Sequence, residues 1–171
     1  MIILGIDPGL RVTGFGLIES DGRRTEYVAS GCIRNTGTEL PSRLRVIYEG
    51  VQELIERYRP QEAAIENVFM QRNASSALKL GQARGAAICA MVMQGLPVQE
   101  YTPRAIKQSV VGTGAADKEQ VRHMVCALLK LQGLPRLDAS DALACALSHL
   151  HISRTLARKA NAMVSAGRAA L

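Results

Sequence analysis

The chain has 171 residues, 47% of them hydrophobic and 21% charged, with 15 Gly, 6 Pro and a formal net charge of +6. This composition is that of a globular protein and excludes disordered, collagen-like and coiled-coil chains. A chain of this length forms a single domain that buries roughly 70% of its unfolded surface, so it needs neither disulfides nor a metal to fold.

The first part of the chain predicts an antiparallel β-meander. Three strands are expected, at residues 2–7, 11–19 and 25–34. The first is an apolar run, rich in β-branched residues, that ends at Pro8-Gly9. Asp21-Gly22 is typical of the hairpin turn that would join the second strand to the third.

Helices alternate with two further strands in the rest of the chain. Apolar residues at helical spacing predict helices over residues 41–59, 74–94, 103–110, 118–132 and from about 138 onward. Short strands are expected at 63–66 and 97–101. The order βββαβαβααα predicts an α/β fold, a mixed five-stranded sheet flanked by helices. We expect this domain to span residues 1–152 and a basic tail without sustained periodicity to span 153–171.

The cysteines indicate a reducing compartment. They are Cys32, Cys89, Cys126 and Cys145. None is at a metal-binding spacing and each has apolar or small neighbours, so we expect buried free thiols. The amino terminus lacks the basic lead of a signal peptide, and no stretch approaches the ~20 apolar residues of a membrane span. A cytoplasmic protein without membrane contact is therefore expected.

The positive charge is concentrated in two regions of the chain. No acidic residue follows Asp141, and four basic residues lie in the last nineteen positions. Residues 67–118 hold six basic residues against two acidic ones. Such concentrated charge suits a polyanion, with nucleic acid as the first candidate, although a basic face kept for solubility explains it equally well.

Four carboxylates lie where a packed fold does not need them. Asp7 ends the first strand, expected to be central, and Glu66 ends the fourth; Asp138 and Asp141 are about one turn apart on the last helix. Strand ends share an edge where sites assemble, and four like charges gathered there would repel unless cations neutralised them. Two Mg²⁺ ions ~3.5–4 Å apart would suit these oxygen ligands and would activate a water against a phosphodiester.

Taken one by one, the same acids have structural alternatives. Asp138 could be a helix N-cap, Asp141 a first-turn acid that the helix dipole favours, and Asp7 a turn residue. Glu66 is harder to explain in this way, because a strand so short has few reasons to end in Glu-Asn. Together the four favour a metal site.

Four motifs resemble those of a known family. Residues 5–9 (GIDPG) with 13–16 (TGFG) resemble the opening signature of the ribonuclease-H-like superfamily. Residues 64–69 (AIENVF), 77–85 (ALKLGQARG) and 138–144 (DASDALA) resemble the RuvC family, the bacterial Holliday-junction resolvases. The similarity runs in order from residue 1 to about 152. The first motif also occurs in actin-like ATPases, whereas the four in sequence are specific.

The resemblance implies a structure-selective, Mg²⁺-dependent crossover-junction endodeoxyribonuclease of DNA recombination and repair. The family's catalytic carboxylates, which also bind the metal, fall on Asp7, Glu66, Asp138 and Asp141. Two Mg²⁺ ions in each active site are implied, with Mn²⁺ able to substitute. Lys107 and Lys118 match family lysines that face the cleft, where a cation could hold the scissile phosphate. The alternative for Lys118, a solvated first-turn residue, would place a cation against the helix dipole.

Further residues are expected to contact DNA. Arg72, Lys79, Arg84 and Arg104 are expected to track the phosphate backbone without reading sequence. Phe69 lies in a polar loop, where it could stack on an unpaired base or tuck under its own loop. The family places the matching aromatic at the junction crossover, which favours stacking.

The implied partners are four-way junction DNA, the RuvA–RuvB branch-migration complex and a second copy of the chain. The small residues of the helix at 74–94 admit the close approach of another element. A two-fold homodimer would place two identical sites so that they cut two strands of like polarity symmetrically.

Two rival functions remain open at this point. An actin-like ATPase or sugar kinase shares the opening turn, but it usually needs two domains with a nucleotide between them. A non-catalytic junction-binding protein would need only the basic face, and four carboxylates would weaken its binding. Cleavage of a synthetic junction with Mg²⁺, compared with EDTA, separates the second rival from a nuclease.

Overall fold

The computed structural model describes residues 1–67 and 74–169, except for the side chains of residues 161 and 163–169. The strands are β1 (Ile2–Asp7), β2 (Val12–Ser20), β3 (Thr25–Arg34), β4 (Glu62–Glu66) and β5 (Val98–Tyr101). The helices are α1 (Leu40–Tyr58), α2 (Ala74–Met93), α3 (Pro103–Val111), α4 (Lys118–Leu129) and α5 (Leu137–Ala169). Each predicted element is present, in the predicted order.

The strands form one mixed sheet in the order β3-β2-β1-β4-β5. β2 is antiparallel to both β1 and β3, whereas β4 is parallel to both β1 and β5. The structure thus confirms the α/β fold with an antiparallel meander at its start, and it confirms that β1 is the central strand. Asp7 and Glu66 consequently end adjacent strands.

Helices cover both faces of the sheet, and residues of the central strands β2, β1 and β4 enter two separate cores. Ile3 on β1 packs with α3, α4 and α5, while its neighbours Leu4 and Ile6 pack with α1 and α2. This alternation follows from the two-residue period of a strand. β1 is buried on both faces and therefore reads as a continuous apolar run.

Three glycines let α5 lie directly on the sheet. A Cβ atom on Gly5 would overlap the carbonyl oxygen of Ala142, and one on Gly14 would overlap that of Asp138. A Cβ atom on Gly16 would lie 2.7 Å from the backbone nitrogen of Leu143. The glycines of the opening signature therefore bring the first turns of α5 down onto β1 and β2.

A buried histidine also attaches α5 to strands β4 and β5. His149 is only 5% exposed. Its Nε2 lies 2.6 Å from the carboxylate of Glu62 at the start of β4, and its Nδ1 lies 2.8 Å from the hydroxyl of Tyr101 on β5. α5 is thus held in two ways, by backbone packing on β1 and β2 and by hydrogen bonds to β4 and β5.

The expectation that all four cysteines are buried was wrong. Cys145 is buried, Cys32 and Cys126 are half-buried, and Cys89 on α2 is exposed, although all four thiols are free. Sequence neighbours of a helical residue point to other sides of the helix, so small and apolar neighbours do not report its burial.

α5 continues beyond residue 152 to Ala169, through the segment expected to be a basic tail. Residues 155–160 are all exposed, which agrees with the lack of sustained apolar periodicity there. The division of the chain at residue 152 stays a prediction. In the ranges described, none of the helices is both long and apolar enough to cross a membrane.

Candidate active site

A cavity of about 190 Å³ opens where β1 and β4 end, beside helices α3, α4 and α5. Its polar lining consists of three carboxylates and two lysines: Asp7, Glu66, Asp141, Lys107 and Lys118. Its apolar wall consists of Pro103, Ile106, Val121 and Ala144. Sequence reasoning selected all of the polar residues and none of the apolar ones, whose helical spacing is equally typical of core residues.

The two strand-end carboxylates are neighbours because β1 and β4 are parallel. Ile6 pairs with Ile65, so the next residues, Asp7 and Glu66, reach the same edge of the sheet side by side. Asp141 enters from the beginning of α5, which the glycines of β1 and β2 bring close to the sheet. Acids that are distant along the chain therefore line one cavity.

Asp138, the fourth predicted acid, lies at the margin of this site and is not part of the cavity lining. It is half-buried in the first turn of α5, and its negative charge contributes to raising the pKa of Asp7. The first backbone hydrogen bond of α5 runs 2.8 Å from the Ser140 N–H to the Arg136 carbonyl. Arg136 therefore occupies the N-cap position, and the N-cap alternative for Asp138 was wrong.

The carboxylates of the cavity are buried and repel one another. Burial, followed by the negative charges of Glu66 and Asp141, raises the pKa of Asp7 to about 8. Burial and the charge of Asp141 also raise the pKa of Glu66. Within the described ranges, no three His, Cys, Asp or Glu side chains lie close enough together to share one metal ion. The raised pKa values of Asp7 and Glu66 show that the positive charge in the cavity is too small to stabilise the ionised forms of these acids.

Helices α4 and α3 bring the two lysines into the cavity. Asp117 and Gln120 form a capping box that fixes the beginning of α4, where Lys118 is the first residue. Lys118 Nζ donates a 2.8 Å hydrogen bond to Asp141 Oδ2, and this bond raises the pKa of the lysine. Lys107 on α3 lies close enough to lower the pKa of Glu66 by its charge, against the larger effect of burial.

The other predicted DNA contacts have different outcomes. Phe69 and Arg72 lie outside the described residues, whereas Lys79 and Arg104 are exposed on α2 and α3. Arg84 is mostly buried, with 17% of its side chain exposed. Its guanidinium contacts the backbone carbonyl of Glu66 and the carboxylate of Glu100. Sequence reasoning treated Glu100 only as a surface charge, since no local pattern indicates that an arginine so far away in sequence pairs with it.

Known proteins match the chain over nearly its whole length. The family model "Crossover junction endodeoxyribonuclease RuvC" matches residues 3–149. The protein of that name from Photobacterium profundum is 61% identical over 155 residues, which cover 91% of this chain and 90% of the relative. The one from Cronobacter sakazakii is 56% identical over 170 residues, covering 99% and 98%.

A solved structure agrees with the fold. It is described as Thermus thermophilus RuvC in complex with Holliday junction substrate. It is 35% identical, covers 91% of this chain and 96% of its own, and superposes with a TM-score of 0.85. The expected ribonuclease-H-like fold is therefore confirmed, and the actin-like ATPase alternative is excluded. By sequence and by fold, the chain belongs to the RuvC family of crossover junction endodeoxyribonucleases.

Proposed function

We propose that this protein resolves Holliday junctions by a Mg²⁺-dependent paired hydrolysis of phosphodiester bonds, with Asp7, Glu66, Asp138 and Asp141 as metal ligands. The observation that carries the proposal is the meeting of three of these acids with two lysines in one cavity. The relatives are named as crossover junction endodeoxyribonucleases, and the Thermus relative is described with a Holliday junction substrate.

The residues of the cavity fit a hard divalent cation. Their donor atoms are carboxylate oxygens, the ligands that Mg²⁺ and Mn²⁺ prefer. The raised pKa of Asp7 shows that its ionised form is disfavoured in the cavity, so added positive charge would stabilise that form. The acids do not converge on one point in this structure, so substrate phosphate oxygens and waters would complete the coordination. When bound, Mg²⁺ lowers the pKa of a ligand water and neutralises charge on the phosphate.

The lysines supply the remaining positive charge. Lys118 and Lys107 can donate to the non-bridging oxygens of the scissile phosphate, where charge builds up in the transition state. Lys118 donates to Asp141 in this structure, so binding of a phosphate would divide its donors between the two. The apolar wall around Ile106 and Val121 limits the entry of water other than the nucleophile. In-line attack by that water leaves a 5′-phosphate and a 3′-hydroxyl.

The second part of the proposal concerns assembly. Among the described residues, a Cβ atom added at Gly81 or Gly85 on α2 would meet nothing within 4 Å beyond the adjoining backbone of the helix, and Leu78 and Val92 on the same helix are 66% and 55% exposed. This surface supports a homodimer formed by close helix contact. We also propose the RuvA–RuvB complex as a partner, a basic tail at 153–171 and a cytoplasmic location. The four free thiols support a reducing compartment.

Replacement of Asp7 tests the proposal. Asp7→Asn keeps the shape of the residue but removes a metal ligand, so we expect unchanged junction binding and loss of cleavage by at least about a hundredfold. The measurement is single-turnover cleavage of a synthetic four-way junction with Mg²⁺, with EDTA and linear duplex as controls. Cleavage by the variant at the rate of the unaltered protein would contradict the proposal.

Phe69→Ala, measured alongside, is expected to slow cleavage more than it weakens binding.

A further inference from the structure

Arg84 connects α2 to the ends of two neighbouring strands. Its Nε donates a 3.2 Å hydrogen bond to the carbonyl of Glu66, the last residue of β4. Its Nη2 forms an ion pair with Glu100 on β5. Glu100 pairs with Ile65 in the parallel ladder, and the next residue, Tyr101, pairs with Glu66. One side chain thus joins three elements at the point where the strand carrying Glu66 ends.

This arrangement differs from that of an arginine waiting for a phosphate. The Arg84 side chain is 17% exposed, and its guanidinium is already bonded at Nε and at Nη2. The Glu66 carbonyl needs such a donor, because the ladder ends beside it with the 2.7 Å bond from the Asn67 N–H to the Tyr101 carbonyl.

We propose that Arg84, held by Glu100, is a positioning residue that fixes the backbone of Glu66 and hence the placement of its carboxylate in the active site. This inference rests on the proposed function, in which Glu66 is a metal ligand. A small displacement of a reacting group lowers the rate strongly while it leaves remote binding contacts intact. Arg84 therefore acts on the cleavage step and not on junction affinity.

Two variants separate positioning from direct DNA contact. Arg84→Lys keeps the charge that a phosphate contact needs but loses the planar, two-sided donor geometry. Glu100→Gln leaves Arg84 in place and removes its partner's charge. We expect both variants to bind a four-way junction with the affinity and salt dependence of the unaltered protein, and to cleave it about tenfold or more slowly in single turnover.

A direct DNA contact gives the opposite pattern. Arg84→Lys would then cleave normally, and Glu100→Gln would bind as tightly or more tightly because a negative charge near the DNA is lost. Either result would overturn the inference. Arg104→Gln, at an exposed arginine, is the matched control and should lower the salt slope of binding by about one. If the unaltered protein itself did not cleave, the proposed function would be at fault; normal cleavage by both variants would reject only the positioning role.

A separate observation concerns a basic groove on the other side of the same sheet edge. Two adjoining cavities of about 300 and 390 Å³ share Leu10, Arg43 and Lys79, and Arg11 lines the second. In the described part of the chain, no carboxylate lies within 4.0 Å of these three basic side chains. Arg43 is held in place, since its Nε donates a 2.6 Å hydrogen bond to the Gly37 carbonyl.

We infer that this groove binds the phosphodiester backbone of one junction arm, with Arg11 and Arg43 as contacts in addition to Lys79. Three cations without acidic partners are stabilised by a polyanion. Arg11 follows Asp7 by four residues, so it lies within about 14 Å of the end of β1. This distance corresponds to roughly four nucleotide steps along a duplex. This inference also rests on the proposed function.

The double variant Arg11→Gln/Arg43→Gln tests the groove. We expect weaker junction binding and a salt slope reduced by about two. The double variant Arg45→Gln/Arg57→Gln on α1, at two exposed arginines outside the groove lining, serves as the charge-matched control. Binding and a salt slope equal to those of the control would exclude the groove as a DNA site and leave the nuclease assignment intact.

Discussion

At the scale of single residues, the active site owes its properties to where a few side chains are held. Asp7 ends a strand buried on both faces, so its carboxyl has little access to water and faces other acids. Lys118 offsets part of this charge but donates its hydrogen bond to Asp141. A cavity of this kind favours a divalent cation over further protein contacts.

The pKa of Asp7 leads to a stability prediction in the absence of metal. With a folded pKa of about 8 against 3.8 unfolded, the native state keeps a proton that the unfolded chain releases. The free energy of unfolding should therefore fall as the pH rises from about 4 to 8 and level off above that. Asp7→Asn removes this loss, so the variant should exceed the unaltered protein by at least about 2 kcal/mol at pH 8 and match it near pH 4.

Urea unfolding in EDTA at several pH values measures this difference. Added Mg²⁺ should stabilise the unaltered protein and leave the variant nearly unchanged, because binding to the native state alone raises stability. A difference between the two proteins that does not vary with pH would contradict the raised pKa of Asp7.

At the scale of elements, the fold was largely predictable because local signals mark each boundary. Asp117 with Gln120 caps α4, and Thr102 caps α3 by accepting from the Ala105 N–H at 3.1 Å. Pro8-Gly9 closes β1 where the apolar run ends. Such caps and turns act over a few residues, so a single sequence reveals them.

Contacts between distant residues were not predictable in the same way. The Arg84 contact with Glu66 and the His149 contact with Glu62 join residues 18 and 87 positions apart, and nothing near either residue indicates its partner. The presence of Asp7 and Glu66 in the same cavity was predictable only because parallel strands end at the same edge of a sheet. Asp138 shows the limit of that argument, since helix spacing places it near the acids but does not decide whether it enters the cavity.

At the scale of the whole molecule, the described part of one chain offers one candidate active site, and the proposed paired cutting needs two. The outward surface of α2 is the place where we propose that a second copy binds, because a Cβ atom added at Gly85 meets no described residue within 4 Å beyond the adjoining backbone of its own helix. Close approach there would bury Leu78 and Val92, which are exposed in the single chain. A two-fold axis relates the two sites of a symmetric dimer. Two strands of like polarity in a four-way junction are related by the same kind of symmetry.

Gly85→Glu tests this assembly, because a charged side chain in a close helix contact prevents association without disturbing the fold of the single chain. We expect the variant to sediment with the mass of one 18.4 kDa chain and the unaltered protein with twice that mass. On a supercoiled plasmid with a cruciform, uncoordinated single cuts should give nicked circles in place of linear product. Gly133→Glu, at another glycine with open space around it, is the control and should remain dimeric. Coordinated linear product from the Gly85 variant would show that α2 is not the dimer contact.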